Sequence, residues 1–138
     1  MQKQTLAIVL AGLTLAGCSQ SGPPVHPVKG QVQLTGGDAA PLAGHWIEIA
    51  LENDRQVRAS GEIKPDGNFQ LESLLEGKLR NGVLEGKYVA RIVLGDDDPQ
   101  QRQAAAAAID PRFLKFDSSG LSLQVPAPEP VQLQLLRR

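Results

Sequence analysis

Gly61-Glu62-Ile63-Lys64-Pro65-Asp66-Gly67-Asn68-Phe69-Gln70-Leu71 is the stretch on which the fold class turns. Upstream of the proline, Val57, Ala59, Gly61 and Ile63 alternate with Arg58, Ser60 and Glu62, the period of a half-buried strand. Pro65-Asp66-Gly67-Asn68 interrupts that run, and Asp-Gly tolerates the positive φ of a tight two-residue turn. Phe69 and Leu71 then resume the inward face, with Asn68 and Gln70 outward. Strand, turn and strand predict an antiparallel hairpin.

The same period repeats in both directions. Val28, Gly30, Val32 and Leu34 oppose Lys29, Gln31 and Gln33, and Gly36-Gly37-Asp38 ends the run. After Pro41-Leu42-Ala43-Gly44, the residues Ile47, Ile49 and Leu51 face inward against Trp46, Glu48 and Ala50. Residues 72–86 are less regular, with a helical turn expected at 73–76 and a tight turn at Asn81-Gly82. Tyr88, Ala90, Ile92 and Leu94 alternate with Val89, Arg91 and Val93. Asp98 is placed to cap a helix over about 99–108, since Pro99 suits its first position and Gln100 onward are helix formers. A helix that short should lean on the sheet through its alanines. Leu121, Leu123 and Val125, then Val131, Leu133 and Leu135, form two closing strands. Seven alternating segments with one short helix predict an all-β fold, a seven-stranded antiparallel Greek-key β-sandwich.

The chain's 138 residues suffice for one core. Lys3 is the one charge in the first 17 residues, so the remainder carries 13 basic against 15 acidic side chains, formally −2. No Lys or Arg block exists to track phosphates, which argues against a nucleic-acid partner. One cysteine, Cys18, permits no disulfide within the chain.

Its position explains it. Residues 5–15 are almost wholly apolar, about eleven residues where a bilayer-spanning helix needs roughly 20. A short basic start, a brief apolar run and small residues describe an export signal. Leu15-Ala16-Gly17-Cys18 resembles the bacterial lipobox, which implies cleavage before Cys18 and a diacylglyceryl group on its thiol. The plainer alternative is an ordinary secretory signal with an incidental cysteine. The expected organisation is a signal peptide at 1–17, a proline-stiffened tether at 18–27 holding a solvated His26, and one domain at 28–138. Ser19 stands where an acidic residue often retains such proteins at the inner membrane, which favours the outer one.

The folded part resembles the carboxypeptidase-regulatory-like, or transthyretin-like, β-sandwich domains. The resemblance rests on Val28-Lys29-Gly30-Gln31-Val32, Pro41-Leu42-Ala43-Gly44, Gly61-Glu62-Ile63 leading to Asp66-Gly67-Asn68-Phe69, and Gly86-Lys87-Tyr88. Ile109-Asp110-Pro111-Arg112-Phe113 and Ser119-Gly120-Leu121 are similar to a group of small bacterial lipoproteins built on this domain. It implies a binding, spacing or display module without an active site. A hydroxyisourate hydrolase shares the architecture but ends in Tyr-Arg-Gly-Ser, whereas this chain has Leu135-Leu136-Arg137-Arg138. The hydrolase reading fails there, and fold analogy does not decide function.

Three features invite chemistry. Asp96-Asp97-Asp98 supplies carboxylates that could begin a calcium shell, although the same residues suit a helix N-terminus and no acidic loop follows. Trp46 could stack on a sugar or anchor a partner, but large aromatics are usually buried, here under 72–86 or the alanine helix. His45 beside it is a single imidazole, and zinc needs three or four protein ligands. Ser118, Ser119 and Ser122 lack a His–acid pair. The expectation is a non-enzymatic, lipid-anchored envelope protein without a cofactor, held to the membrane through Cys18. It would present the sandwich for structural or binding roles, with an envelope protein or glycan as partner; the alternative is a carbohydrate- or peptide-binding module using the Trp46 face or a strand edge.

Overall fold

A computed structural model describes residues 22–127 and 130–138. The leader, Leu15-Ala16-Gly17-Cys18 and Ser19 lie outside the described residues. Among the described residues the chain is mostly β, with nine strands. These are β1 (Lys29–Leu34), β2 (Trp46–Leu51), β3 (Arg58–Glu62), β4 (Asn68–Gln70), β5 (Glu72–Leu75), β6 (Lys78–Arg80), β7 (Gly86–Val93), β8 (Ser122–Val125) and β9 (Val131–Leu135). They form a three-stranded sheet, β4-β1-β9, and a six-stranded sheet, β6-β5-β3-β2-β7-β8. Val32, Leu34, Leu133 and Leu135 of the small sheet join Ile47, Ile49, Ala90 and Ile92 of the large one in a single buried cluster. Two sheets over one core make a sandwich-like architecture. Burying each large aliphatic side chain contributes about 1.5–3 kcal/mol.

The structure departs from the sequence expectation in four places. The strands number nine, not seven, because 72–80 forms the β5–β6 hairpin instead of a helical turn. Its turn residues, Glu76 (φ 52°) and Gly77 (φ 76°), both have positive φ, as a primed two-residue turn requires. Glutamate stands where Asn or Asp would have announced that turn. Second, the pairing is not all antiparallel: β1 runs parallel to β9, from Gly30↔Val131 to Leu34↔Leu135. Third, the turn after β3 has three residues. The Gly67 N–H donates to Lys64 O (2.8 Å), the Lys64 N–H donates to Asn68 O (2.8 Å), and only Gly67 has positive φ. Fourth, 61–71 is not one hairpin within one sheet. β4 pairs with β1 while β5 pairs with β3, so the chain changes sheets at the fully buried Leu71. Gln70 makes that crossing directly against Gly61.

The helix α1 (Pro99–Ala108) stands at its expected bounds, with Asp98 Oδ1 accepting from the N–H groups of Gln100 (2.9 Å) and Gln101 (3.3 Å). It rests on the core through Ala105 and, partly, Ala108. A 3-10 turn (Pro111–Leu114) and a short helix α2 (Phe116–Ser119) follow it. Within the expected tether at 18–27, the described residues 22–27 are tied to the domain: His26 and Val83 exchange backbone hydrogen bonds, and Arg80 Nη1 donates to Pro23 O (3.4 Å).

Tyr88 is buried, its hydroxyl donating to Leu84 O (2.8 Å), and burial pushes its phenol above the ordinary 10.0. The folded state therefore keeps a proton that the unfolded chain releases, so this group's contribution to stability is constant below about pH 10 and is lost as pH rises beyond it. As the chain's one tyrosine, its phenolate absorbance reads this group alone. The absorbance should rise later in folded than in urea-unfolded protein, and superimposable titrations would refute the assignment.

Candidate functional site

The outer face of the large sheet is set by register. Trp46 lies between Glu62 and Val93, Glu48 between Ser60 and Arg91, and Ala50 between Arg58 and Val89. One end of this face is covered. The Phe116 ring of α2 has the guanidinium carbons of Arg91, Arg58 and Arg55 at 4.5, 5.4 and 5.6 Å from its centre. Glu48 Oε1 takes Arg91 Nη2 at 2.7 Å and Arg58 Nη1 at 3.4 Å, and Asp117 takes Arg55 at 3.3 Å. These charges answer one another around an aromatic ring, so the cluster is a latch holding α2 on the sheet. The sequence shows Arg58 and Arg91 at outward positions, but only the strand register shows that they meet.

The other end is open. Trp46 is 42% exposed, covered neither by 72–86, whose first nine residues form an edge hairpin, nor by α1. It borders a groove of about 270 Å³ shared with Ser60, Gly61, Glu62, Lys64, Gln70 and Glu72. The groove forms where the chain changes sheets, with residues 70–72 crossing against Gly61 of β3. Lys64 pairs with Glu62 (3.6 Å), so the groove carries two carboxylates against one ammonium. That balance opposes anionic ligands. An exposed indole beside hydroxyl, amide and carboxylate groups suits a flat, hydroxyl-rich ligand, which offers an apolar face and many hydrogen bonds.

His45 does not share this site. The residue is 3% exposed; the Gly95 N–H donates to Nδ1 (3.0 Å) and Nε2 lies 3.3 Å from Gln101 O. The donor at Nδ1 fixes the proton on Nε2, which donates to Gln101 O and ties the start of β2 to α1. Both nitrogens are occupied, leaving nothing to offer a ligand. In the acidic run, Asp98 caps α1 and Asp96 bridges Arg102 (2.8 Å). Among the described residues no three His, Cys, Asp or Glu side chains gather to hold a metal ion. Ser118 Oγ donates to Arg112 O (2.8 Å) and Ser119 Oγ to Ala90 O (2.6 Å), so both hydroxyls serve backbone carbonyls. Buried side-chain polar atoms among the described residues all have partners. Cys18 lies outside the described residues. No family model, no curated protein and no solved structure matches the chain.

Proposed function

We propose that the chain is a non-enzymatic, lipid-anchored protein of the cell envelope whose β-sandwich binds a neutral carbohydrate in the Trp46 groove. The exposed indole beside the hydroxyl, amide and carboxylate groups of the groove carries this reading. Cys18 in Leu15-Ala16-Gly17-Cys18 is the attachment point, with the outer membrane the favoured site. Two facing sheets and the ordered glycine and turn motifs support membership of the transthyretin-like, carboxypeptidase-regulatory-like group, with Greek-key connectivity among its central strands.

Anchor and groove are tested separately. Intact mass of membrane-extracted protein should fit a chain beginning at Cys18 plus diacylglycerol, and Cys18→Ala should release the protein from the membrane. Unmodified, soluble wild-type protein would refute the anchor. Trp46 is the one tryptophan, so its fluorescence reads the groove alone. Titration with envelope glycans should shift the emission, and Trp46→Ala should weaken binding by about 2 kcal/mol, roughly thirtyfold in Kd. Binding that survives Trp46→Ala unchanged would remove the groove from the proposal.

A further inference from the structure

The β5–β6 hairpin places two leucines directly opposite each other, Leu74↔Leu79, and leaves them 69% and 67% exposed. They stand on an edge hairpin, where an uncovered apolar pair calls for a partner. The same hairpin receives the chain from its N-terminal side. Arg80 on β6 donates to Pro23 O, His26 pairs with Val83, and a Cβ built on Gly22 would stand 2.9 Å from Arg80 Nη1.

We propose that the β5–β6 hairpin is a membrane-docking element, its Leu74–Leu79 pair seated in the interface of the bilayer that holds the Cys18 lipid. The inference rests on the anchor reading and adds the domain's orientation to it. Cys18 stands four residues before Gly22, and a fully extended chain spans at most about 3.6 Å per residue, so the anchor lies within about 14 Å of Gly22. The polar layer on each side of a bilayer is about 6 Å deep. So short a connection holds the nearest part of the domain against the surface, and that part is the β6 end of the large sheet. Leu74 and Leu79 can then enter the interface while Lys78 and Arg80 keep their charged heads at the phosphates. The acidic Glu76 at the hairpin tip sets the limit, remaining at the level of hydrated headgroups. The Trp46 groove lies on the same sheet, where Glu72 of β5 and Ser60 and Glu62 of β3 border Trp46 of β2.

The test uses the full lipidated protein, in which Cys18 is blocked and an introduced cysteine is the one free thiol. Leu74→Cys, Leu79→Cys and Gln33→Cys, an exposed position of β1, are each labelled with an environment-sensitive dye. The proteins are reconstituted in phosphatidylethanolamine–phosphatidylglycerol vesicles containing brominated acyl chains. Labels at 74 and 79 should shift to the blue and be quenched several-fold more than the label at 33. Equal, water-like emission at all three positions overturns the proposal. So does a blue shift at 74 that bromine does not quench and dilution abolishes, since a second copy of the chain would then cover the leucines. Intact mass separates the two readings: an unmodified Cys18 ends both, whereas a lipidated Cys18 with unquenched labels ends this one alone.

Discussion

Gly61→Ala should destabilise the fold by about 4 kcal/mol or more, a large share of the roughly 5–15 kcal/mol that holds a typical domain. A Cβ on Gly61 would stand 2.2 Å from Gln70 O and 2.9 Å from Gln70 C. Both atoms are backbone, so no rotamer change relieves the clash. Gln70 would have to retreat by about 1 Å to reach ordinary contact distance. It cannot retreat alone, because Gln70 pairs with Lys29, the Leu71 N–H donates to Val28 O (3.0 Å), and Glu72 pairs with Ser60. The methyl therefore breaks the corner where the chain passes between sheets. Gly36→Ala is the control. Gly36 has φ 76° and open space around it, so that substitution should cost only the left-handed penalty of roughly 1–2 kcal/mol. Urea unfolding of both variants checks this, and equal losses would mean that close approach at Gly61 does not matter.

His45→Ala should cost about 3 kcal/mol, and the loss should appear as loosening of α1. Removing the imidazole strands the Gly95 N–H, at about 1–3 kcal/mol where burial is complete, takes a second donor from Gln101 O of the helix ladder, and leaves a hole beside the core. Those two groups lie just beyond β7 and in α1, so the ring joins helix to sheet. Amide exchange over 101–108 should accelerate more than exchange in β2 and β3. A variant as stable as wild type that no longer responds to glycan would instead return His45 to the binding surface.

The strands were legible because their faces were. Period-two alternation at 28–34, 47–51, 57–63, 88–94, 121–125 and 131–135 reflects one face on a core and one away from it, a property each segment carries by itself. The helix was legible for the same reason, since Asp98 and Pro99 act within one turn of it. Partners are another matter. Nothing in Val28 to Leu34 states that β1 pairs with β9, and nothing in Gly61 to Leu71 states that β3 and β4 part company. The β5–β6 hairpin went unseen because Glu76 adopts a left-handed conformation that its side chain does not favour. At the candidate site, Trp46 could be picked out as an outward aromatic, but its exposure depends on what 72–86 and α1 do elsewhere. The Arg55, Arg58, Arg91 and Phe116 latch depends wholly on register. His45 shows the converse: a chemically suggestive side chain is claimed by two backbone groups distant in sequence.

The parallel pairing of β1 with β9 also sets an order in time. The Thr35 N–H donates to Leu135 O (2.9 Å), and the Thr35 hydroxyl bridges the same 100-residue separation. Early in synthesis β1 can find β4, but its full-length neighbour does not yet exist. Closing so long a loop is entropically slow, and folds dominated by distant contacts form late. The small sheet can be completed only once residue 135 has joined the rest of the chain. A polypeptide passing N-terminus first through a narrow channel would keep β1 without that neighbour until its last strand had followed.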